Sequence, residues 1–434
     1  MSAFLEVCNQ FLWGFPLLIL LFGTHLYFTF RLKFPQKHIF HAIRLSVTPE
    51  NGKKDGVNLS GFAALSTTLA ATLGTGNIIG VSTAIALGGP GALFWCWIAG
   101  FFGMATSYAE CFLSVAFKQK QEDGTYVGGP MYVLHHGLHK KNAAKFYAFC
   151  IIMAAFGVGC TTQANAMVKS IYHISHIPPY LSGIVISLLA GLIIIGGIRS
   201  IGKFCTRFVP FMGLLYIGFC IILLYMNREV LLDCIRLVFD SAFKPHAAFG
   251  GFIGSTLQSA ARYGIARGLF TNEAGVGTTA IAAAASETTN PKRQGLISMT
   301  AVFWDTVVMC ALTGLVIISS MLRYPDSTLG CNADDLTHIA FSYLPFGGIT
   351  IVSLSLIAFA FTTFIGWCYF GEKATEFLFG KKGIRYYHFL YIIMIYLGSI
   401  LSLELVWGLT DFVNAIMIFP NLLALYALRK MIHI

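Results

Sequence analysis

Apolar runs of about 20 residues recur from one end of the chain to the other, separated by short polar loops. A helix of that length crosses the hydrocarbon core of a bilayer. The pattern predicts eleven spans, near residues 11–30, 60–87, 91–117, 144–171, 179–198, 205–226, 250–283, 296–322, 347–378, 386–408 and 410–428. The first is longer than the ~7–15-residue apolar core of a secretory signal and has no basic residue before it, so it reads as a retained helix. Between Asp55 and Glu110 there is no charge at all, yet Thr72-Leu73-Gly74-Thr75-Gly76-Asn77-Ile78-Ile79-Gly80 puts glycines and polar side chains in mid-span. Irregular backbone survives at that depth only where protein encloses it. A broken helix there offers free N–H and C=O groups to a solute or ion.

The seventh span carries a similar interruption, Gly268-Leu269-Phe270-Thr271-Asn272-Glu273-Ala274-Gly275-Val276-Gly277. Spans two to six and seven to eleven form two sets of five, and an odd number gives successive sets opposite orientations. Breaks at corresponding places in two halves point to a transport site. The expected architecture is therefore an all-α polytopic membrane protein with an inverted 5+5 repeat and a broken first helix in each repeat. It makes one transmembrane domain over residues 1–434: an extra N-terminal helix at 11–30, a first repeat at about 60–226 and a second at about 250–428. Residues 87–91 read as a tight turn. Segment 227–249 mixes apolar and charged positions and predicts an amphipathic helix lying over the bundle. The loop 118–142 is open between a surface loop and a re-entrant or interfacial helix starting near Gly128-Gly129-Pro130.

Composition agrees with this pattern. The chain is 56% hydrophobic and 11% charged, with a mean hydropathy of +0.72, outside the range of soluble globular proteins. The net charge of +10 does not indicate nucleic acid. Most of the basic residues lie in short loops on one predicted face, which places the N-terminus outside and the C-terminus in the cytoplasm of a plasma (inner) membrane protein. The eleven cysteines show neither metal-ligand nor disulfide spacing and read as small core residues. Gly74-x-Gly76-x-x-x-Gly80 is one residue too long for a dinucleotide fingerprint. Gly197–Lys203 imitates a phosphate loop but is followed by Phe204 instead of Ser or Thr. No ATP-binding module and no organic cofactor are expected. An intramembrane enzyme is a remote alternative, because no nucleophile is paired with a base at recognisable spacing. A channel is another, separable by saturable, countertransport-stimulated flux.

Ala71–Gly80, Gly89–Trp95, Gly124–Val133, Gly268–Thr279 and Phe361–Thr375 together resemble the sodium:alanine (alanine/glycine:cation) symporter family. The resemblance runs over nearly the whole chain. It implies the leucine-transporter fold, with spans two and seven unwound, and Na+-coupled movement of alanine or glycine. An amino-acid carboxylate suits the free N–H groups of a half-helix N-terminus, here Thr75 and Gly76. Carbonyls near Phe270 and Thr271 would take the ammonium group, and Asn77 can serve substrate or ion. The family places a substrate-facing glutamine at Gln163; the residue alone is equally compatible with an interhelical hydrogen bond. Phe270 and Trp367 would wall the pocket. The resemblance also places Na+ among Thr362, Thr363 and the carbonyls of Ala70 and Leu73, with Thr72, Asn77 and Thr271 as a second candidate set. Threonines in membrane helices commonly bond their own backbone instead. A proton-coupled permease or an exchanger on the same fold is the alternative.

Charges inside a membrane need partners. Glu110, Glu273, Asp305, Arg262 and Arg267 form the expected gating network, with either arginine pairing to Asp305 or Glu110 and Glu273 anchoring the second break. Glu372 and Glu376, beside Lys373, read as interfacial.

Overall fold

A computed structural model of the chain describes residues 9, 11–48, 58–244, 257–328, 331–345, 347–401 and 404–434. Lys53, Lys54, residues 245–249 of the outer connection and the predicted start of the seventh span (250–256) lie outside them. Helix α1 (Phe15–Arg31) turns sharply through Pro35–His38 into α2 (Ile39–Val47), bent by 66°. Then α3 (Gly61–Thr72) and α4 (Val81–Gly88) are joined by two non-helical residues, Leu73 and Gly74, and a wide turn at Gly76–Gly80, bent by 57°. Ser60 caps α3 by accepting the Ala63 N–H at 3.1 Å. At the far end Gly89 takes φ +72°, which glycine adopts without strain, and the chain reverses into α5 (Gly91–Ala116).

A two-stranded hairpin follows, β1 (Gln119–Lys120) against β2 (Tyr126–Val127). The open choice at 118–142 resolves into this hairpin and a short helix, α6 (Pro130–Tyr132), continued by a wide turn at Val133–Gly137 whose apolar side chains are buried. Lys381 ties the hairpin down at 2.6 Å from Asp123 and holds that carboxyl well below the usual carboxylate range. Next come α7 (Lys141–Phe156) and α8 (Thr162–Ser175), continuous through a wide turn at Gly157–Thr161. They are followed by α9 (Pro179–Ile195) and α10 (Gly197–Met226), which leave Leu188, Leu192, Phe211 and Leu214 exposed where lipid would lie.

The predicted amphipathic helix is α11 (Arg228–Phe243). Its buried side, Cys234, Val238, Ser241 and Ala242, lies on α5, with the Ser241 carbonyl close against Gly91. The second broken element is α12 (Leu257–Asn272) and α13 (Thr279–Ala284). Asn290 and Pro291 start α14 (Pro291–Val302), which runs through a wide turn at Phe303–Cys310 into α15 (Ala311–Arg323). A short α16 (Leu336–Ser342) precedes α17 (Gly348–Phe379), α18 (Lys381–Ile400) and α19 (Glu404–Ala427).

Among the described residues five helices are long and apolar enough to cross a membrane: Gly91–Ala116, Lys141–Ser175, Ser200–Met226, Pro291–Arg323 and Gly348–Phe379. The two bent pairs add one span each if counted whole. Helix α5 is the axis of the core, packed by α1, α11, α12, α13 and α14, while α17 crosses α3, α7 and α8. Ten described cysteines are all unbridged and nine are buried, as small core residues should be. Glu372, Lys373 and Glu376 depart from the interfacial expectation. They are buried, Lys373 Nζ lies 3.1 Å from Glu372 and 2.8 Å from Glu376, and His388 sits 3.0 Å from Glu372. Carboxylates withdrawn from water need such partners, and α18 delivers His388 to them by folding back along α17.

Candidate functional site

The first break begins where the sequence puts Leu73-Gly74. Leu73 is extended (ψ 91°), so α3 ends and the last carbonyls of the helix lose their partners. Helical backbone resumes at Thr75, so the first N–H groups of the next segment are likewise free of intrahelical bonds. The Thr75 N–H has only a long contact, 3.5 Å, to Gln163 Oε1. Gln163 donates its amide to the Val158 carbonyl at 3.2 Å.

The second break starts later than the sequence suggests. Helix α12 continues through Gly268, Phe270 and Thr271 to Asn272. Gly268 is a packing glycine: a Cβ there would stand 2.8 Å from the Cys96 carbonyl of α5. The irregular stretch is 273–278, where Glu273, Gly275 and Gly277 all have positive φ (+55°, +93° and +90°). Its backbone is held from three sides. Glu110 accepts the Gly275 N–H at 2.9 Å and an Asn421 N–H at 2.5 Å; Asn421 also donates to the Gly275 carbonyl at 2.9 Å. Tyr147 donates to the Val276 carbonyl at 2.8 Å, and Thr278 donates to Glu273. Asn421 and Tyr147 were not singled out from the sequence, where each looks like an ordinary polar residue near a span.

The two breaks meet. A Cβ on Gly76 would lie 3.4 Å from Thr271 Oγ1, so the N-terminal end of one half-helix abuts the last turn of α12. These ends carry partial charges of opposite sign, positive at the N-terminus and negative at the C-terminus. Thr271 itself donates to the Arg267 carbonyl at 2.9 Å. Above this contact is a cavity of about 740 Å³. Thr75, Gly76 and Gly80 line it from the first break, Arg267 and Phe270 from α12, and Asp411 from α19. A second, void-like space of about 20 Å³ lies between Phe270, Glu273 and Trp367.

Asn77 faces away from the cavity. It is fully buried; its Oδ1 accepts the Gly74 N–H at 3.0 Å, and its Nδ2 donates to the Asp305 carboxylate at 2.8 Å and to the Asp305 carbonyl at 3.2 Å. Asp305 also accepts from Thr306 at 2.7 Å. The expected arginine pairs are absent. Neither Arg262 nor Arg267 forms an ion pair with Asp305 or Glu110; Arg267 stacks over Phe270 and Arg262 over Tyr263, at 5.4 and 5.7 Å from the ring centres. Asp305 is met instead by the Asn77 amide and the Thr306 hydroxyl, and Glu110 Oε1 by the Gly275 and Asn421 N–H groups, while Glu110 Oε2 is buried without a hydrogen-bond partner.

The two threonines separate. Thr363 Oγ1 reaches the Leu73 carbonyl at 3.1 Å as well as its own Phe359 carbonyl at 2.9 Å. Thr362 bonds Phe359 at 2.9 Å and points to Met212 of α10, away from the break. The close crossing rests on Gly366, where a Cβ would meet the Ala71 nitrogen at 2.7 Å. Ala70 is buried in the turn before Leu73, and the Thr72 hydroxyl is buried without a hydrogen-bond partner. Neutral hydroxyl and carbonyl oxygens of this kind suit a hard monovalent cation. Among the described residues no cluster of three His, Cys, Asp or Glu side chains offers a transition-metal site.

The family described as Sodium:alanine symporter family matches the chain over residues 1–434. The Sodium/alanine symporter AgcS of Methanococcus maripaludis is 40% identical over 437 residues, covering 99% of this chain and 95% of that protein. An uncharacterized transporter of Haemophilus influenzae is 44% identical, covering 99% and 94%. A Na+-coupled sialic acid symporter, solved substrate-bound and outward-open, superposes with a TM-score of 0.61 at 13% identity over 96% of this chain and 88% of that one, which is a likeness of fold.

Proposed function

The chain belongs to the sodium:alanine symporter family, whose members and structural neighbours are transporters and not enzymes, and we propose that it carries small neutral amino acids, alanine or glycine, into the cell together with Na+. The observation that carries the proposal is the meeting of two oppositely polarised helix ends, Gly76 and Thr271, beside the 740 Å³ cavity that Gly76 lines. A zwitterion fits that junction. The N–H groups of Thr75 and Gly76 receive the carboxylate, and the unpaired carbonyls of the last turn of α12, around Phe270 and Thr271, receive the ammonium group. Na+ sits beside it, on the Leu73 and Ala70 carbonyls and Thr363. Thr72, Asn77 and Thr271 stand as a second, weaker set, since the Asn77 amide is already engaged.

The protein spans the inner membrane eleven times, as an extra helix and two inverted sets of five, with the N-terminus outside. In that orientation the cavity opens outward. Inward Na+ movement contributes about 2.3 kcal/mol per charge for each 100 mV of inside-negative potential, and alternating access converts this to uptake. Proteoliposomes with an imposed Na+ gradient should accumulate labelled alanine, and replacing Na+ by choline should abolish accumulation. Undiminished accumulation in choline removes Na+ coupling and leaves the proton-coupled or exchange alternative.

A further inference from the structure

The turn leading into α1 does more than enter the membrane. Trp13 lines both the large cavity and the small void behind it. Phe270 lines both as well, so the two rings together form the partition between them. The rings meet edge to face, 6.3 Å between centres at 65°. The indole N–H is anchored separately, donating to the Asp411 carbonyl of α19 at 2.9 Å. Trp13 is thus a strut from a helix outside the two five-helix sets. It is fixed to α19 at one edge and presses on the α12 side chain that borders the site at the other.

The space it encloses is small. At about 20 Å³ the void behind the partition admits one water- or methyl-sized group. Its walls are mostly apolar, including Val158, Val276 and Trp367. Trp367 cannot retreat easily, because its ring lies directly against Gly159 of the wide turn between α7 and α8. Phe270 is only half-buried, with Trp13 against its ring edge to face and Arg267 over its face. Leu21 of α1 also lines the small space, but among the described residues only Trp13 and Phe270 line both it and the large cavity.

We infer that Trp13 is a positioning residue for substrate size: it holds Phe270 in place, and thereby limits the side chain of the transported amino acid to about a methyl group. This rests on the small-amino-acid reading above. An apolar pocket discriminates between substrates differing by one methylene by roughly tenfold or more, so loosening the partition should be visible in selectivity.

The test is inhibition of labelled alanine uptake in proteoliposomes by unlabelled alanine, 2-aminobutyrate, valine and leucine, in wild type, Trp13→Phe and Trp13→Ala. In wild type the inhibition constant should rise steeply along that series. In Trp13→Ala the valine-to-alanine ratio should fall by about tenfold, whatever happens to the absolute rate. Trp13→Phe, which keeps a ring against Phe270 but loses the bond to Asp411, should fall between. A ratio unchanged in Trp13→Ala, or a uniform loss for every inhibitor, overturns the inference and leaves Trp13 a packing residue. If Trp13→Ala does not elute as a monodisperse protein, Trp13→Leu replaces it, and an unchanged ratio there overturns the inference equally. If wild type takes up none of these amino acids, the functional reading itself fails, an outcome the variants are not needed to reveal.

Discussion

Asn77 and Asp305 are joined side chain to side chain at 2.8 Å, and the same Asn77 amide group turns its oxygen back onto the Gly74 N–H at 3.0 Å. The sequence offers Asn77 as a ligand for substrate or ion. The structure makes it the clasp of the first break, tying the loop that precedes it to the wide turn of the helix formed by α14 and α15. Asp305 fixes the amide orientation, and the amide fixes the loop. The shape presented by Thr75 and Gly76 depends on a pair that does not face the cavity.

Substitution of either partner should therefore weaken substrate binding through the backbone. Removing one partner leaves the other a buried polar group without its bond, at a cost of about 1–3 kcal/mol, so Asn77→Ala and Asp305→Ala should each lower alanine affinity by about tenfold while the protein still folds. Because they act as one unit, the double variant should be little worse than the more damaged single one. Additive losses in alanine binding, measured by titration calorimetry, would show that the two residues act independently.

Thr362 and Thr363 are adjacent in sequence and alike in chemistry, but only Thr363 reaches the Leu73 carbonyl. Thr363→Ala should raise the Na+ concentration for half-maximal uptake by about tenfold, equivalent to about 1.4 kcal/mol. Thr362→Ala should change it less than threefold, roughly 0.6 kcal/mol. Equal effects would place the ion elsewhere along α17.

The crossing of α17 over α3 is set by Gly366, whose absent Cβ leaves room for the Ala71 backbone. Backbone cannot yield as a side-chain tip can, and overpacking costs typically about 1–3 kcal/mol. Gly366→Ala should lower the melting temperature and also increase the Na+ requirement, by moving Thr363 off Leu73. Gly213→Ala on α10, with nothing within 4 Å, is the control and should be neutral or slightly stabilising, since alanine is the better helix former by up to about 1 kcal/mol.

Much of this was legible in the sequence because lipid imposes a strict grammar. Glycines and polar residues in an uncharged span have few uses there, and helical backbone stops within both expected interruptions, at Leu73–Gly74 in the first and from Glu273 onward in the second. Gly268 was misleading for a physical reason: a glycine that lets two helices touch looks the same in sequence as one that breaks a helix. Glu372 and Glu376 misled because charges near a span end are ordinarily solvated, and nothing local announces that His388, on the following helix, will fold back to meet them. Trp13 and Asp411 were invisible as a pair, being 398 positions apart. A tryptophan near the start of a span also reads as an interfacial anchor. Charge alone pairs the arginines with carboxylates, whereas in the structure Asn77, Asn421 and the Gly275 amide meet those carboxylates.

The proximity of the two candidate subsites carries a thermodynamic consequence. The Leu73 carbonyl, assigned to Na+, and the Thr75 and Gly76 N–H groups, assigned to the carboxylate, belong to one short stretch whose shape is held by a single clasp. A cation that orders this stretch lowers the ordering cost left for the amino acid, and the converse holds by the same factor, because coupling between two binding equilibria is reciprocal. Typical coupling of about 1–3 kcal/mol corresponds to a 5–150-fold change in affinity. Either ligand at 100 times its dissociation constant stabilises the folded protein by about 2.7 kcal/mol. At fixed, subsaturating alanine, adding Na+ should therefore raise the melting temperature by more than the sum of the two separate shifts. Choline should give no such excess, and neither should Na+ with Thr363→Ala. Strictly additive shifts in the wild-type protein would mean that ion and amino acid bind without sensing one another, and would detach the Leu73–Thr363 contact from the Gly76–Thr271 junction as parts of one coupled site.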